Sequence, residues 1–248
     1  MRPAHMNWIN VTAHRIARAL GVDYRRYDAR NFVSLRRAHN MSALGIRSVF
    51  DVGAHDGGYG RELREHGYLG TVVSFEPLAA PCQRLAHIAV LDGNWRVHHL
   101  ALGSTDCEAR INVSGHLSSS SFLKMTAAHE MASPESKYQG GETVRIGRLD
   151  RYVTANDIQS SPAWLKVDVQ GYEKNVLEGA GSLLREFAGI ELELSLVPVY
   201  EGAPLVEDMI AYLRQQGFVP MSFEDVLVDP GTARVLQVNA IFLRGTRS

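Results

Sequence analysis

The chain has little with which to staple itself together: 248 residues carry two cysteines, Cys82 and Cys107. Neither sits in a metal-ligand spacing or a disulfide framework, so both are read as packed or surface thiols in a reducing, cytoplasmic setting. No window approaches the ~18 consecutive apolar residues of a membrane-crossing helix. The N-terminus also lacks the apolar segment of a secretory signal, and the expected setting is soluble and intracellular. Net charge is scarce as well, at −1, which argues against bulk nucleic-acid binding. No internal repeat is visible, and the only low-complexity stretch is Ser118-Ser119-Ser120-Ser121. What is abundant is apolar sequence, 45% of residues, enough to bury a sizeable core as one domain plus a modest extension.

The charge is unevenly spread. Residues 1–47 carry nine arginines against two aspartates, which leaves the remainder of the chain acidic. Trp8, Thr12, Ile16 and Leu20 recur at i+4 with Arg15 and Arg18 off that line, the pattern of an amphipathic helix. One reading of this basic extension is a solvated helical cap, over the cofactor site or against a second copy in a homodimer. The other is that Arg25, Arg26, Arg30, Arg36 and Arg37 meet an anionic or lipid-linked substrate or a membrane surface, as a peripheral contact.

From residue 48 onward, strand and helix patterns alternate: strands at 48–53, 71–76 and 95–101, with helices at 57–66 and 78–91. That alternation predicts a doubly wound α/β fold with a mostly parallel sheet. Residues 104–148 break it. Two alternating stretches, 108–114 and 142–148, flank a polar segment, 115–141, which predicts an inserted hairpin with a long loop acting as a lid over the substrate. The alternation then resumes with strand 163–168, helix 173–185, strand 188–195 and helix 204–216. Two strands close the chain, near 218–223 and 237–243. The division is therefore a basic extension, 1–47, and a catalytic domain, 48–248, that contains the insert.

The most informative segment is Val49-Phe50-Asp51-Val52-Gly53-Ala54-His55-Asp56-Gly57-Gly58-Tyr59-Gly60, a buried strand running through a glycine-rich turn into a helix. Ligands of open α/β sheets bind at such strand ends. A pyrophosphate-binding turn places its second glycine two residues after the first. Here Ala54, His55 and Asp56 intervene, and Asp51 and Asp56 add negative charge where a dinucleotide brings its own. A cationic cofactor such as S-adenosylmethionine (AdoMet) suits this turn better. Val72-Val73-Ser74-Phe75-Glu76-Pro77 ends a second strand in an acid placed to hold ribose hydroxyls, a feature that NAD sites share.

With DVGAHDGGYG, SFEP, Ala101-Leu102-Gly103, Leu165-Lys166-Val167-Asp168-Val169-Gln170-Gly171-Tyr172-Glu173 and Val176-Leu177-Glu178-Gly179-Ala180 in this order, residues 48 to about 245 resemble the FkbM-type AdoMet-dependent methyltransferases. The resemblance implies a Rossmann-like methyltransferase fold with seven strands. Its last strand, Asn239–Leu243, is reversed. It also implies O-methylation of hydroxyls on sugars, glycolipids or related natural products. Asp51, Gly53 and His55 would face the methionine end, His55 standing where the family more often carries Asn. Ala54, Gly57, Tyr59, Pro77, Asp168 and Val169 would complete the cofactor contacts, with Glu76 at the ribose, Ala101 and Leu102 at the adenine edge, and Ser120 near the adenine or the acceptor.

A hydroxyl acceptor needs a positioned base. Asp168, at a strand end, is the leading choice, and Glu193 is the nearer to the site of two glutamates, Glu191 and Glu193, that share one strand face. His116 and His129 are alternative bases, since histidine titrates near neutrality. Gln170, Glu173 and Tyr200 are expected at the acceptor, Tyr200 either stacking on a sugar face or plugging the core. Asp168, Glu173 and Glu193 together could instead hold a divalent cation such as Mg2+. The competing readings are a nicotinamide-dependent oxidoreductase and a non-catalytic AdoMet-binding scaffold.

Overall fold

The structure is a computed structural model that describes residues 15–22, 25–155 and 162–245. Most of the helix expected over 7–20 lies outside the described residues, although residues 15–19 are helical. The first complete element is helix α1, Val33–Ala43. Strand β1 (Ser48–Val52), helix α2 (Gly58–Glu65), strand β2 (Thr71–Phe75), helix α3 (Ala79–Ala89) and strand β3 (Trp95–His98) follow as the alternation predicts. The expected strand 95–101 divides, because Ala101–Leu102 leaves the main sheet as β4 and joins the insert.

The insert comprises β5 (Cys107–Ser114), a short helix α4 (Ala127–Ala132) and β6 (Tyr138–Gly147). Strands β5 and β6 pair antiparallel, and β6 pairs with β4 to make a three-stranded sheet. The connection between them is less open than the sequence suggested. Short 3-10 turns at Leu117–Ser119 and Pro134–Ser136 flank α4. Ser136 Oγ donates to Ser119 Oγ at 3.0 Å, and Thr126 N donates to Val199 O at 3.0 Å. The serines of this run are in part buried, and they tie the segment down.

The main sheet resumes with α5 (Leu149–Ala155), a helix the sequence reading passed over, then β7 (Ala163–Val167), α6 (Glu173–Ala180), β8 (Phe187–Ser195), α7 (Val206–Gln215), β9 (Phe218–Val228) and β10 (Val235–Arg244). Its order is β3-β2-β1-β7-β8-β10-β9. The pairs among β3, β2, β1, β7 and β8 are parallel, and β10 runs antiparallel to both β8 and β9. This is the seven-stranded Rossmann-like methyltransferase arrangement, with the reversed strand at Asn239–Leu243 as expected.

The two faces of the sheet differ. Phe50, Val52, Leu165, Val167, Ile190 and Leu192 pack under α5, α6 and α7 in one apolar cluster. The opposite face carries Val49, Val72 and Trp164 against α1, α2 and α3. One rung nearer the strand ends, that face carries charge. Asp51 pairs in register with Lys166, and Lys166 with Glu191, so three ionisable side chains lie in one row across β1, β7 and β8. All three are buried. Buried charges are retained only when paired, so this row marks the functional end of the sheet.

Candidate functional site

A cavity of about 690 Å³ opens over the carboxyl ends of β1, β2, β7 and β8, within the ~300–1,000 Å³ typical of small-molecule sites. It has two halves. The first is built from the turn after β1. Gly53 takes φ 81° there, and a Cβ on it would strike the Asp168 carbonyl, so no other residue fits. His55 is held left-handed as well, at φ 50°, and lines the cavity beside Ala54. Asp51 accepts from Ser74 Oγ at 3.1 Å, and Ser74 in turn accepts from Trp95 Nε1 at 3.0 Å. Burial pushes the Asp51 carboxyl up to about 6, against the pull of Lys166 and Ser74.

Glu76 ends β2 with both oxygens facing backbone donors, His55 N–H and Leu78 N–H, each at 2.8 Å. Burial nevertheless pushes its carboxyl up to about 7. Pro77, Leu78, Ala101 and Leu102 form an apolar wall beside it, and Ser120 and Phe122 close it from the insert. An acid at the ribose position, an apolar slot next to it and carboxylates near the glycine turn fit an adenosyl ligand with a cationic end.

The second half lies over β7, β8 and β10. Asp168 carries the chain from β7 into this half; its Oδ2 accepts from Lys166 Nζ at 3.0 Å and its Oδ1 from Gln170 Nε2 at 2.7 Å. Burial disfavours the Lys166 ammonium, yet Asp168, Glu191 and Asp51 together raise its pKa. Glu193 Oε2 accepts from the carboxamides of Gln170 at 2.9 Å and Gln237 at 2.8 Å. Burial, with Asp168 and Glu173 nearby, raises the Glu193 pKa well above its ordinary value. Val169 and His116 also line the cavity, the latter with its Nδ1 2.8 Å from Ser118 Oγ.

Several residues expected at the site stand elsewhere. Tyr200 is fully buried, its hydroxyl donating to Gln170 Oε1 at 2.5 Å, so it plugs the core and positions Gln170 rather than stacking on a ligand. Glu173 caps its own helix entry, accepting from Val169 N–H and Gly171 N–H at 3.1 Å each, and does not line the cavity. Gly57 is needed for its φ of 82° and for room against Leu85 and Trp95, not for ligand contact. Tyr59 lines the cavity but belongs to the second half, donating to Glu191 at 2.9 Å. His129 does line the cavity, but it is buried and set edge-on to Tyr200, with ring centroids 5.0 Å apart, and burial lowers its pKa. Asp168, Glu173 and Glu193 do not gather into a metal site. Among the described residues no group of three or more His, Cys, Asp or Glu side chains is arranged to hold an ion, and amide donors engage all three carboxylates.

The sequence allowed the basic extension to cap the site but gave no sign of the buried ion pair that docks it. Arg37, on α1, is 6% exposed, and its Nε and Nη2 clamp both oxygens of Glu191 at 2.8 Å. Its third arm reaches Glu62 at 2.6 Å, and its guanidinium stacks over the Tyr59 ring at 4.6 Å. Burial works against its charge, but Tyr59, Glu191 and Glu62 hold the guanidinium firmly protonated. Arg36 is half-buried and donates to Ser222 Oγ at 2.7 Å. The helix is therefore docked, not solvated, and Phe32, Val33 and Ser34 become cavity wall. Gln237 and Asn239, on the reversed strand, were missed too. Only Lys166 had left a visible signal, a lysine inside an otherwise apolar strand.

Residues 51–220 match the family model described as the methyltransferase FkbM domain, which covers more than half of the chain. The chain belongs to the FkbM methyltransferase family. It is thus an AdoMet-dependent methyltransferase on a Rossmann-like fold. No curated protein sequence matches it. Among solved structures it is similar to an FkbM methyltransferase from Methylobacillus flagellatus KT, at 14% identity and a TM-score of 0.49, over 79% of this chain. The FkbM chain here spans only 43% of that protein. A putative RNA methyltransferase from Pyrococcus horikoshii is similar at 10% identity and a TM-score of 0.45, covering 86% of this chain and 84% of that one. An rRNA methylase from Streptococcus thermophilus is similar at 11% identity and a TM-score of 0.45, covering 85% and 95%. Likenesses at this level carry no argument about the acceptor.

Proposed function

We propose that this FkbM methyltransferase is an O-methyltransferase that acts on a hydroxyl of a sugar, glycolipid or related natural product. The observation that carries the reading is the continuity of the cavity. One space joins the Glu76 side to a polar wall of Gln170, Glu193, Gln237 and Asn239, with Asp168 at the junction. Bound AdoMet supplies an electrophilic methyl group on a sulfonium. The chain's own residues hold the acceptor hydroxyl in line with it, which is where most of the acceleration arises. Asp168 is placed to accept the hydroxyl proton, so that a methyl group supplied by bound AdoMet would end as the methyl ether, with S-adenosylhomocysteine as the other product. Lys166 and Gln170 donate to its two oxygens and fix its direction. Glu193, set deeper and engaged by two carboxamides, is the second base in this reading.

The acceptor in this reading is a small molecule or a lipid-linked glycan and not a nucleic acid. Arg37 and Lys166, the cations of the second half, are already committed to Glu191, Glu62 and Asp168 and are not offered to a phosphate backbone. Exposed Arg25, Arg26 and Arg30 are where a membrane holding such a glycan would be met. The test is transfer of radiolabelled methyl from AdoMet to a panel of glycosides and glycolipids. Transfer to at least one, lost in Asp168→Asn while S-adenosylhomocysteine still binds, supports the reading. Labelling of RNA alone contradicts it.

A further inference from the structure

Beyond Asp168 the cavity continues along a row of side chains whose outer part methyl transfer does not use. Asn239 pairs in register with Glu193 on one side and with Glu224 on the other, so the three lie side by side across β8, β10 and β9. On the rung below, Glu191, Ile241 and Ser222 stand in the same relation. There α1 closes the sheet, with Arg37 on Glu191 and Arg36 on Ser222. The upper row has no such cover. Phe32 and Val33, where α1 begins, line the same cavity and give it an apolar wall, and Phe32 is set against Tyr27 with ring centroids 4.9 Å apart.

The outer end of the row carries uncommitted polar groups. Asn239 is half-buried, and its Oδ1 is enclosed without a hydrogen bond. Among the described residues its Nδ2 donates to nothing, and it is the end left to the cavity. Glu224 is exposed at the rim, and no described residue holds its carboxylate by a hydrogen bond or an ion pair. Polar groups left without partners in a cavity wall call for an explanation. A donor beside an acceptor, one strand spacing or ~4.8 Å apart, fits two neighbouring hydroxyls of one ring. Each hydroxyl both donates and accepts, so one accepts from Asn239 Nδ2 and the next donates to Glu224.

We infer that Phe32, Asn239 and Glu224 form an anchoring subsite for a second sugar unit, joined to the one that is methylated. The inference rests on the sugar reading of the acceptor and adds its length. Asp168 follows Val167, which pairs with Leu192, and so stands level with Glu193. From Asp168 to Asn239 and Glu224 the sheet is crossed by two and three strand spacings, roughly 10–14 Å. One pyranose ring does not span that distance. A ring that rests its carbon–hydrogen face on Phe32 while its hydroxyls meet Asn239 and Glu224 therefore leaves the reacting hydroxyl to its neighbour. Gln170, which joins Asp168 to Glu193, and Gln237, which also donates to Glu193, lie between the two units. The three anchoring residues select the acceptor and take no part in cofactor binding or proton transfer.

The experiment is ligand-observed NMR titration of the full chain, saturated with S-adenosylhomocysteine. The probes are the methyl glycosides of glucose, galactose and mannose, and those of disaccharides built from them. At least one disaccharide is expected to bind about tenfold tighter than either of its component units, the gain of a hydrogen bond to a charged group. Phe32→Leu, Asn239→Ala and Glu224→Gln are each expected to erase most of that advantage. Affinity for the single sugars and for S-adenosylhomocysteine stays within about twofold of wild type in all three. Equal affinity for the two lengths, or an advantage that survives all three substitutions, overturns the inference and leaves the sugar reading in place. Binding of no glycoside of either length, with S-adenosylhomocysteine bound, overturns the sugar reading itself. Glu224 and Asn239 hold no described neighbour through their side chains, and leucine keeps position 32 apolar, so the variants retain the fold, which thermal unfolding checks.

Discussion

The two halves of the cavity have different origins. The cofactor half is made by residues at the ends of β1, β2 and β4 and by the insert, all inside the segment that matches the FkbM domain. The second half draws Phe32, Val33, Ser34 and Arg37 from before that segment and Glu224, Gln237 and Asn239 from after it. The flanks of the matched segment therefore enter only the second half, where they join Asp168, Gln170, Glu191 and Glu193 from within it. The chemistry differs accordingly. The first half relies on backbone donors and a glycine that admits no side chain. The second relies on a buried network in which Arg37, Glu191, Tyr59, Lys166 and Asp168 hold one another.

Substitution at the junction separates the halves most sharply. Asp168→Asn is expected to lower methyl transfer by ~10²–10⁴-fold, the range for a lost general base. Its affinity for S-adenosylhomocysteine should stay within about twofold of wild type, since Asn keeps the size of the side chain.

Breaking the second half costs stability more than cofactor binding. Arg37→Ala leaves Glu191 buried and unpaired, and chemical denaturation is expected to show a loss of about 3–5 kcal/mol. Removing both charges, as Arg37→Met with Glu191→Leu, is expected to recover most of that loss, because no uncompensated charge then remains inside.

The first half carries a pH signature of its own. The carboxyls of Glu76 and Asp51 are raised by burial to about 7 and about 6. Folding therefore favours their protonated forms, and their contribution to stability is present at low pH and lost as pH rises through those values. The ligand-free protein is expected to melt higher at pH 5.5 than at pH 7.5, and Glu76→Gln should shrink that difference. A melting temperature that is equal at both pH values in wild type contradicts the account. The smallest effect belongs to the outer rim. Arg36→Gln removes a half-buried bond to Ser222 and should cost no more than ~1 kcal/mol, with cofactor affinity unchanged.

The sequence made the first half legible because its chemistry is local. Asp51, Gly53 and His55 lie in one turn, Glu76 ends the next strand, and glycine spacing reports backbone shape directly. The last strand was legible as one compact apolar stretch, whereas its reversal came from the family resemblance. The second half depends on contacts between distant parts of the chain. Arg37 and Glu191 are 154 positions apart, and nothing near Arg37 separates it from the other arginines of a basic extension. Glu173 was misplaced, and Tyr200 left open between a ligand and the core, because neighbours in sequence need not face the same way. A residue beside a strand end can turn inward to hold a glutamine or cap a helix as readily as outward to meet a ligand. The insert was read as a long loop acting as a lid because a polar segment carries no sign of whether its hydroxyls will find partners.

The division of the cavity is tested most directly by titrating S-adenosylhomocysteine into wild type, Glu76→Gln and Glu193→Gln under one condition at pH 7.5. Affinity reduced about tenfold in the Glu76 variant and unchanged in the Glu193 variant is the predicted result, the former corresponding to loss of a hydrogen bond to a charged group. Equal losses in both, or a loss confined to the Glu193 variant, would contradict the assignment of the cofactor to the half of the cavity that the family segment builds.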